Sequence, residues 1–485
     1  MARQIAIVHG WSDTSESFEP LVQFLEGNGF EAVPLWLGDY ISLDDDVKVE
    51  DVAKRMQQVV TEKKADGLSD SFDLIVHSTG GLVARQWLAM FYADGKGCPV
   101  KRLLMLAPAN YGSRLASMGQ SMLGRLVKGW KNWFHTGKEM LTALELGSRF
   151  QWDLAQRDLF VPKGQESAPS PYGPEGVWPF VIVGTHPYTS ELRKIVNENG
   201  SDGTVRVPAA NLNARGVTID FSHDELNPKV SLWQPRHGTL QFPLAVLPDR
   251  THASIITPDE NEVNSAPASG KLLGELILEA LACLDMSKYS AIQQRWATLT
   301  EETASLASDI DKRAAVFPRR PILDVFKSDV EPAFFHQYLQ AVVRVVDDHG
   351  VDVPDYFLEF FGPDSKTDHE AVYFHSQVVE DVHPNGSARC FYVDRTDLVT
   401  NYYNLIPEGK KREVAMSISA TAPGDNISYF RNSRVGAAGH LVVHQESNPE
   451  QRWLQRNATH FVEIIIPRTP KDSVFKLTKV PPGSR

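Results

Sequence analysis

Residues 73–85 read DLIVHSTGGLVAR, an apolar run that ends abruptly at Ser78 and passes into a helix-compatible segment opening with Gly80 and Gly81. A serine nucleophile on a sharp strand-to-helix turn has strained backbone angles, so the residues two before and two after it have to be small. Gly80 meets this demand on one side, and Gly81 lets the helix pack closely on the sheet. Val76 departs from the usual Gly-x-Ser-x-Gly pattern on the other side. The motif alone is equally compatible with an ordinary buried strand followed by a helix.

Such a serine needs an acid and then a histidine later in the chain. A strand-like apolar run at 177–184 is followed, after a polar loop, by Asp202 in a Ser-Asp-Gly sequence. A last short apolar run at 244–247 leads to His252 in a loop. An Asp-Gly pair also occurs commonly in ordinary turns. A single histidine in a loop is by itself weak evidence for a catalytic residue. Because all three occur in the required order, we predict Ser78, Asp202 and His252 as the catalytic residues.

These motifs resemble those of the α/β-hydrolase superfamily, and within it the bacterial lipases and the esterases related to lecithin–cholesterol acyltransferase. The resemblance covers about the first three-fifths of the chain and rests on HGW at 9–11, HSTGG at 77–81, SDGTV at 201–205 and LAPANYGS at 106–113. It implies a mostly parallel sheet with helices on both faces and a helical cap. It also implies an oxyanion hole formed by the backbone N–H groups of Trp11 and Thr79.

The segment at 112–160 lies where such hydrolases place their cap. Apolar side chains recur in it at helical spacing, with cations among them: Met118, Met122, Leu126, Trp130 and Trp133 with Arg114, Arg125, Lys128 and Lys131. A basic amphipathic helix rich in tryptophan can lie at a membrane interface, and the same stripe can pack on the hydrolase body. We expect a lid that packs on the hydrolase body and also contacts a membrane interface. The sequence therefore favours a lipase or phospholipase that acts on a lipid or ester substrate, with transient membrane contact through the cap.

Composition narrows the class of protein further. With 485 residues, 42% of them hydrophobic, the chain can bury more than one core. A formal net charge of −12 without a long basic run predicts that the protein does not bind nucleic acid. The cysteines Cys98, Cys283 and Cys390 are far apart, and no His-Glu-x-x-His motif occurs. We therefore predict neither a metal nor an organic cofactor.

The sequence also bears on location. No apolar run reaches transmembrane length, and the strand-like segment begins at once after the first residues, which leaves no room for a signal peptide. Few cysteines suit a reducing compartment. We expect a cytoplasmic protein made without a cleavable signal, with non-classical export left open. The oligomeric state is not predicted.

The chain changes character after about residue 318. Residues 271–281 read as the closing helix of the hydrolase, and short β-branched and aromatic runs follow farther on, at 342–346, 357–361, 371–374, 389–393, 414–419 and 461–466. Such runs are typical of an all-β sandwich. We predict a hydrolase domain at 1–283, a helical linker at 284–318 and a β-sandwich accessory domain at 319–485. By analogy such a domain binds a lipid surface or a partner; it could equally brace the hydrolase or mediate oligomers.

Two other functions fit the same motifs. One is a hydrolase with a different substrate: a short-chain esterase, a thioesterase or an acyltransferase. The other is a binding protein whose hydrolase fold has lost its activity, and Val76 is the only feature that favours it.

Overall fold

The computed structural model describes residues 2–8, 15–34, 45–118, 137–188, 196–225, 227–258, 269–317, 330–362, 378–409, 411–422, 424–429, 441–448 and 452–474. Its strands are β1 Arg3–Val8, β2 Phe30–Pro34, β3 Phe72–His77, β4 Val100–Leu106, β5 Trp178–Gly184, β6 Arg215–Asp220, β7 Lys229–Leu232, β8 Leu244–Leu247, β9 Tyr338–Asp347, β10 Tyr356–Phe361, β11 Val379–Asn385, β12 Ala388–Asp394, β13 Glu413–Ala420, β14 Ile427–Tyr429, β15 Leu441–Gln445, β16 Thr459–Ile466 and β17 Arg468–Pro470. Its helices are α1 Glu19–Gly27, α2 Val49–Ala65, α3 Thr79–Phe91, α4 Arg114–Ser117, α5 Lys138–Leu144, α6 Arg149–Asp158, α7 Val207–Ala210, α8 Ser269–Leu281, α9 Met286–Ser305, α10 Ile310–Val316 and α11 Arg395–Asp397.

A six-stranded parallel sheet with the order β2-β1-β3-β4-β5-β8 forms the centre of the N-terminal part. Every residue of β3 and of β5 is buried. Strands that are apolar along their whole length are expected where helices cover both faces of a parallel sheet. Because parallel strands all end at the same edge, the segments after β3, β5 and β8 meet there.

A second, mixed sheet has the order β11-β12-β9-β16-β6-β7. Its strands β6 and β7 come from inside the range that the sequence assigns to the hydrolase, and β6 pairs in parallel with β16. Val217 and Ile219 on β6 are buried in the core of the C-terminal part, while the intervening residues are less buried. This alternation suits a strand with one face on a core. The boundary at residue 283 stays a prediction, but the chain enters the second sheet before it.

The C-terminal β region, meaning the second sheet together with the antiparallel sheet β10-β13-β15, shares one apolar core. The opposite face of the second sheet packs on the hydrolase. Phe461 on β16 is one of the residues in this contact, with its ring 5.3 Å from Trp152 and 5.6 Å from Tyr111 between centroids. The prediction of an α/β-hydrolase fold followed by a β domain is confirmed.

Part of the predicted cap lies outside the described residues, including Met122, Leu126, Trp130 and Trp133. The described remainder holds α4, α5 and α6. On α5, Met140, Leu141 and Leu144 are buried. Within the part of the chain that the structure describes, the helices are too short or too polar to cross a bilayer. The predicted strand at 371–374 also lies outside the described residues.

Candidate active site

Ser78 occupies the turn between β3 and α3. Its backbone has φ 54° and ψ −123°, a conformation that residues other than glycine rarely adopt. Two hydrogen bonds join the turn to β4 and the loop after it: Ser78 N–H donates to Leu106 O at 3.1 Å, and Ala109 N–H donates to Ser78 O at 3.1 Å. The strain is therefore imposed by the neighbouring β4 and its following loop, as expected of a serine presented at a sheet edge.

The two glycines after the serine are needed for close packing. A Cβ on Gly81 would lie 2.6 Å from the Cβ of Pro108, so α3 approaches the loop after β4 only because that position is glycine. A Cβ on Gly80 would lie 3.4 Å from the Cβ of Val76 and 3.0 Å from Val8 O. The missing side chain at residue 80 thus provides the room in which the unusual Val76 fits.

The structure brings the three predicted residues together. His252 Nε2 lies 2.9 Å from Ser78 Oγ, and His252 Nδ1 lies 2.9 Å from Asp202 Oδ2. All three residues are buried. Ser78 follows β3, Asp202 lies in the loop after β5, and His252 lies in the loop after β8, so the common edge of the sheet assembles them.

The Asp202 carboxylate is held in place by its own loop. Its Oδ1 accepts N–H groups from Thr204 at 2.9 Å and Val205 at 2.8 Å, which leaves Oδ2 for the imidazole. The Asp202 carbonyl accepts the His252 N–H at 2.8 Å. Two backbone donors on one oxygen fix the direction of the carboxylate.

His77, next to the serine, contacts the backbone of the histidine loop. Its Nε2 lies 3.0 Å from the His252 carbonyl oxygen, and the two rings are 4.8 Å apart between centroids. Because a carbonyl oxygen accepts, His77 carries its proton on Nε2 in this contact. It therefore supports the loop of His252 rather than the serine.

The helix that begins at the serine turn is anchored by a buried ion pair. Arg85 on α3 and Asp158 on α6 are both fully buried, with Nε 2.8 Å from Oδ2. Tyr172 also donates to this carboxylate, at 2.9 Å. Burial alone lowers the pKa of Arg85, but Asp158 raises it above its ordinary value, so the guanidinium is charged. Sequence reasoning missed this pair, although a single arginine in the apolar segment GGLVAR is a signal for one.

One of the two predicted oxyanion donors lies in the described residues. Thr79 is the first residue of α3 and is buried directly after the serine. Trp11, with His9 and Gly10, lies outside the described residues. The location of the second donor therefore stays a prediction.

Among the described residues, one group brings three metal-binding side chains together: His336, Asp394 and Asp397, with ligand atoms within 4.8 Å of one another. His336 Nδ1 donates to Asp394 Oδ2 at 2.7 Å, and Asp394 Oδ1 accepts the Asp397 N–H at 2.9 Å. Burial lowers the pKa of His336, but hydrogen bonding to Asp394 raises it above its ordinary value. These hydrogen bonds explain why the three side chains lie close together.

The fold is shared over the whole chain with a solved structure. Phospholipase PlaB from Legionella pneumophila has a TM-score of 0.74 at 24% sequence identity, and the match covers 100% of this chain and 97% of that one. PlaB in complex with thio-NAD gives a TM-score of 0.75 at the same identity, covering 100% and 98%.

The mature form of Bacillus licheniformis lipase BlEst2 has a TM-score of 0.34 at 16% identity, covering 56% of this chain and 92% of that one. No protein-family model and no curated protein sequence matches this chain. The full-length likeness to PlaB and the parallel sheet with its serine turn lead to one conclusion: the chain has the α/β-hydrolase fold, followed by a C-terminal β region.

Proposed function

We propose that the protein is a serine carboxylester hydrolase of the lipase or phospholipase type. The observation that carries the proposal is the unbroken hydrogen-bonded series Ser78–His252–Asp202, with 2.9 Å at both contacts of the imidazole. A base within hydrogen-bond reach of a nucleophile, itself oriented by a third group, is the arrangement that activates a serine.

In the proposed reaction, Ser78 Oγ attacks the carbonyl carbon of the ester while His252 Nε2 takes the hydroxyl proton. Asp202 accepts the Nδ1 proton of His252 in a hydrogen bond and stabilises the imidazolium, without being protonated itself. The Thr79 N–H, together with that of Trp11, stabilises the oxyanion. His252 then gives its proton to the leaving alcohol, and an acyl-Ser78 ester remains. Water attacks this ester with His252 again as the base, which releases the acid and restores the serine.

A lipid substrate is supported by the likeness to PlaB, a protein described as a phospholipase, and by the apolar and basic sequence of the cap. Contact with a membrane through this cap is part of the proposal. Water-soluble short esters, thioesters and acyl transfer to an alcohol are the alternatives for the same site. A binding protein without activity is a further one.

Labelling with a fluorophosphonate tests the nucleophile. We expect the wild-type protein to react and Ser78→Ala not to react. Ser71→Ala is the matched control because Ser71 lies just before β3, at its other end, and is exposed. A wild-type protein that does not react, or a Ser78→Ala variant that reacts equally, contradicts the proposal.

Substrate class needs a second measurement. We expect activity on p-nitrophenyl esters to rise with acyl-chain length, and hydrolysis of phospholipid liposomes to release fatty acid detectable by mass spectrometry. Preference for short, soluble esters with no product from liposomes would instead select the esterase alternative.

A further inference from the structure

The loop that carries Asp202 lies between the hydrolase sheet and the C-terminal β region. We call residues 198–206 the acid loop. Its ends are closed on each other: Val207 N–H donates to Gly200 O at 3.0 Å, and Ser201 and Arg206 form an antiparallel bridge. Asp202 therefore sits in a tight turn, and a displacement of either end moves the carboxylate.

Arg206 leaves the end of the acid loop and enters the β region. Its side chain is 3% exposed and pairs with Glu380 on β11 at 3.1 Å and with Glu198 at 3.5 Å. The guanidinium carbon lies 4.8 Å from the ring centroid of Tyr338 on β9 and 4.3 Å from that of Tyr392 on β12. The planar guanidinium lies over two aromatic rings and also forms ion pairs with carboxylates. A lysine ammonium can replace these contacts only in part.

Glu380 contacts the acid loop at a second point. Its Oε1 accepts from Asn199 Nδ2 at 3.3 Å and from the Tyr338 hydroxyl at 2.6 Å. A Cβ on Gly200, which has φ +65°, would collide with the Tyr338 ring. The β region thus contacts the acid loop on both sides of Asp202 in sequence.

The charge of Arg206 is maintained in this environment. Burial disfavours the charged guanidinium, but Glu198, Tyr392 and Glu380 raise the pKa of Arg206 above its ordinary value. The contact between loop and β region is therefore an ion pair in which the guanidinium is buried and the Glu380 side chain is 28% exposed. Loss of the carboxylate leaves a buried charge without one of its counter-ions.

We propose that Arg206 is a positioning residue for the hydrolase reaction, through which the C-terminal β region sets the direction of the Asp202 carboxylate toward His252. The inference rests on the proposed function. Asp202 Oδ1 is bonded only within its own loop among the contacts described, to Thr204 and Val205, so the carboxylate follows the loop as it moves. The His252 carbonyl is held from the hydrolase side by His77, while the His252 N–H is bonded to the Asp202 carbonyl. A turn of the acid loop that redirects the carboxylate therefore changes the contact between acid and base.

The test combines three variants with counting of active sites. Arg206→Lys, Arg206→Met and Glu380→Gln are labelled to completion with a fluorophosphonate, and kcat is expressed per labelled site. We expect kcat per site to fall about tenfold in Arg206→Lys and Glu380→Gln and about 100-fold in Arg206→Met, since small misplacements of catalytic groups have effects of this size. KM should be unchanged, because Arg206 and Glu380 bind the acid loop and the β region.

Arg456→Gln is the matched control. It removes an ion pair of 2.9 Å with Glu301 on α9, which also joins the β region to the hydrolase but does not involve the acid loop. Its kcat per site should equal that of the wild type. A fall in Arg456→Gln equal to that in Glu380→Gln overturns the inference, because general loosening of the interface then explains both.

The other possible results of this experiment also support or overturn the inference. If Arg206→Met does not fold, Glu380→Gln is the deciding variant, because its side chain is 28% exposed and its loss is tolerated more easily. Fewer labelled sites with an unchanged kcat per site would mean a structural role only and overturn the inference. A wild-type protein that is not labelled at all overturns the proposed function itself, so the two failures are distinguishable.

Discussion

Asp202→Asn is expected to remove most of the activity while leaving the fold intact. Asp202 Oδ1 accepts two backbone N–H groups, from Thr204 and Val205. In the asparagine variant only the amide oxygen can take this place, so the NH2 group is directed to the position of Oδ2, facing His252 Nδ1. An NH2 group donates, and Nδ1 then has to accept. The imidazole proton is forced onto Nε2, which faces Ser78 Oγ and can no longer take the serine proton.

The size of the effect follows from this change of tautomer. The equivalent substitution in a serine protease lowers kcat about 10⁴-fold, which corresponds to ~5.5 kcal/mol of barrier at about 1.4 kcal/mol for each factor of ten. The free energy of unfolding should change little, because the side chains have the same shape and both backbone hydrogen bonds persist. Activity and stability are thus expected to separate.

The measurement is kcat/KM on a p-nitrophenyl ester, with thermal unfolding of the same samples. Asp249→Asn is the control: Asp249 lies on the same loop as His252, is 1% exposed, and has no hydrogen-bond partner on either carboxylate oxygen among the described residues. We expect this control to keep its activity. An Asp202→Asn variant within about tenfold of the wild-type rate would refute the reasoning, since a forced tautomer permits no such activity.

Three further predictions concern stability. Gly81→Ala places a Cβ against Pro108 and should lower the free energy of unfolding by about 1–3 kcal/mol, measured in urea. Asp158→Asn leaves the buried Arg85 without its counter-ion and should lower it by about 3–5 kcal/mol in the same assay. Burial lowers the pKa of the fully buried His460 from 6.5 to about 4. The unfolded chain therefore takes up this proton first as the pH falls, and between pH 6.5 and 4 this one group should lower the free energy of unfolding by about 1.4 kcal/mol per pH unit. Burial also lowers the pKa of His186 and of His237 to about 4, so the total slope is larger and His460→Gln should remove one contribution to it.

Substitutions at other positions of the same chain serve as controls for these predictions. Gly27→Ala, where a Cβ meets no atom within 4 Å, should be neutral or slightly stabilising. Asp153→Asn removes an exposed pair with Arg149 and should cost under about 1 kcal/mol. Equal losses in control and test variants would contradict the packing and charge arguments, and an unchanged pH slope in His460→Gln would contradict the titration argument.

Much of the fold could be predicted from local pattern. β5 and the central residues 74–76 of β3 are apolar without interruption, and the continuous burial of a parallel strand produces that pattern. The observed β13, Glu413–Ala420, contains the predicted run at 414–419, of which residues 414–418 are buried. For the candidate site, the residue order Ser78, Asp202, His252 was sufficient to select a histidine that the structure places 2.9 Å from both the serine and the aspartate. Their catalytic roles, with those of Trp11 and Thr79, stay predictions.

By itself the sequence determined the serine turn and the order of the three side chains. It also determined that a domain with a parallel sheet is followed by a largely antiparallel β region. Each of these features depends on neighbouring residues or on chain order. Only the tertiary structure decided that β6 pairs with β16, and that Arg206 reaches Glu380 across the interface. The strand β6 was not predicted from the sequence, and the alternation of Val217 and Ile219 does not tell which sheet such a strand joins. That choice depends on hydrogen bonds and packing between segments more than 200 residues apart, and no local pattern encodes them.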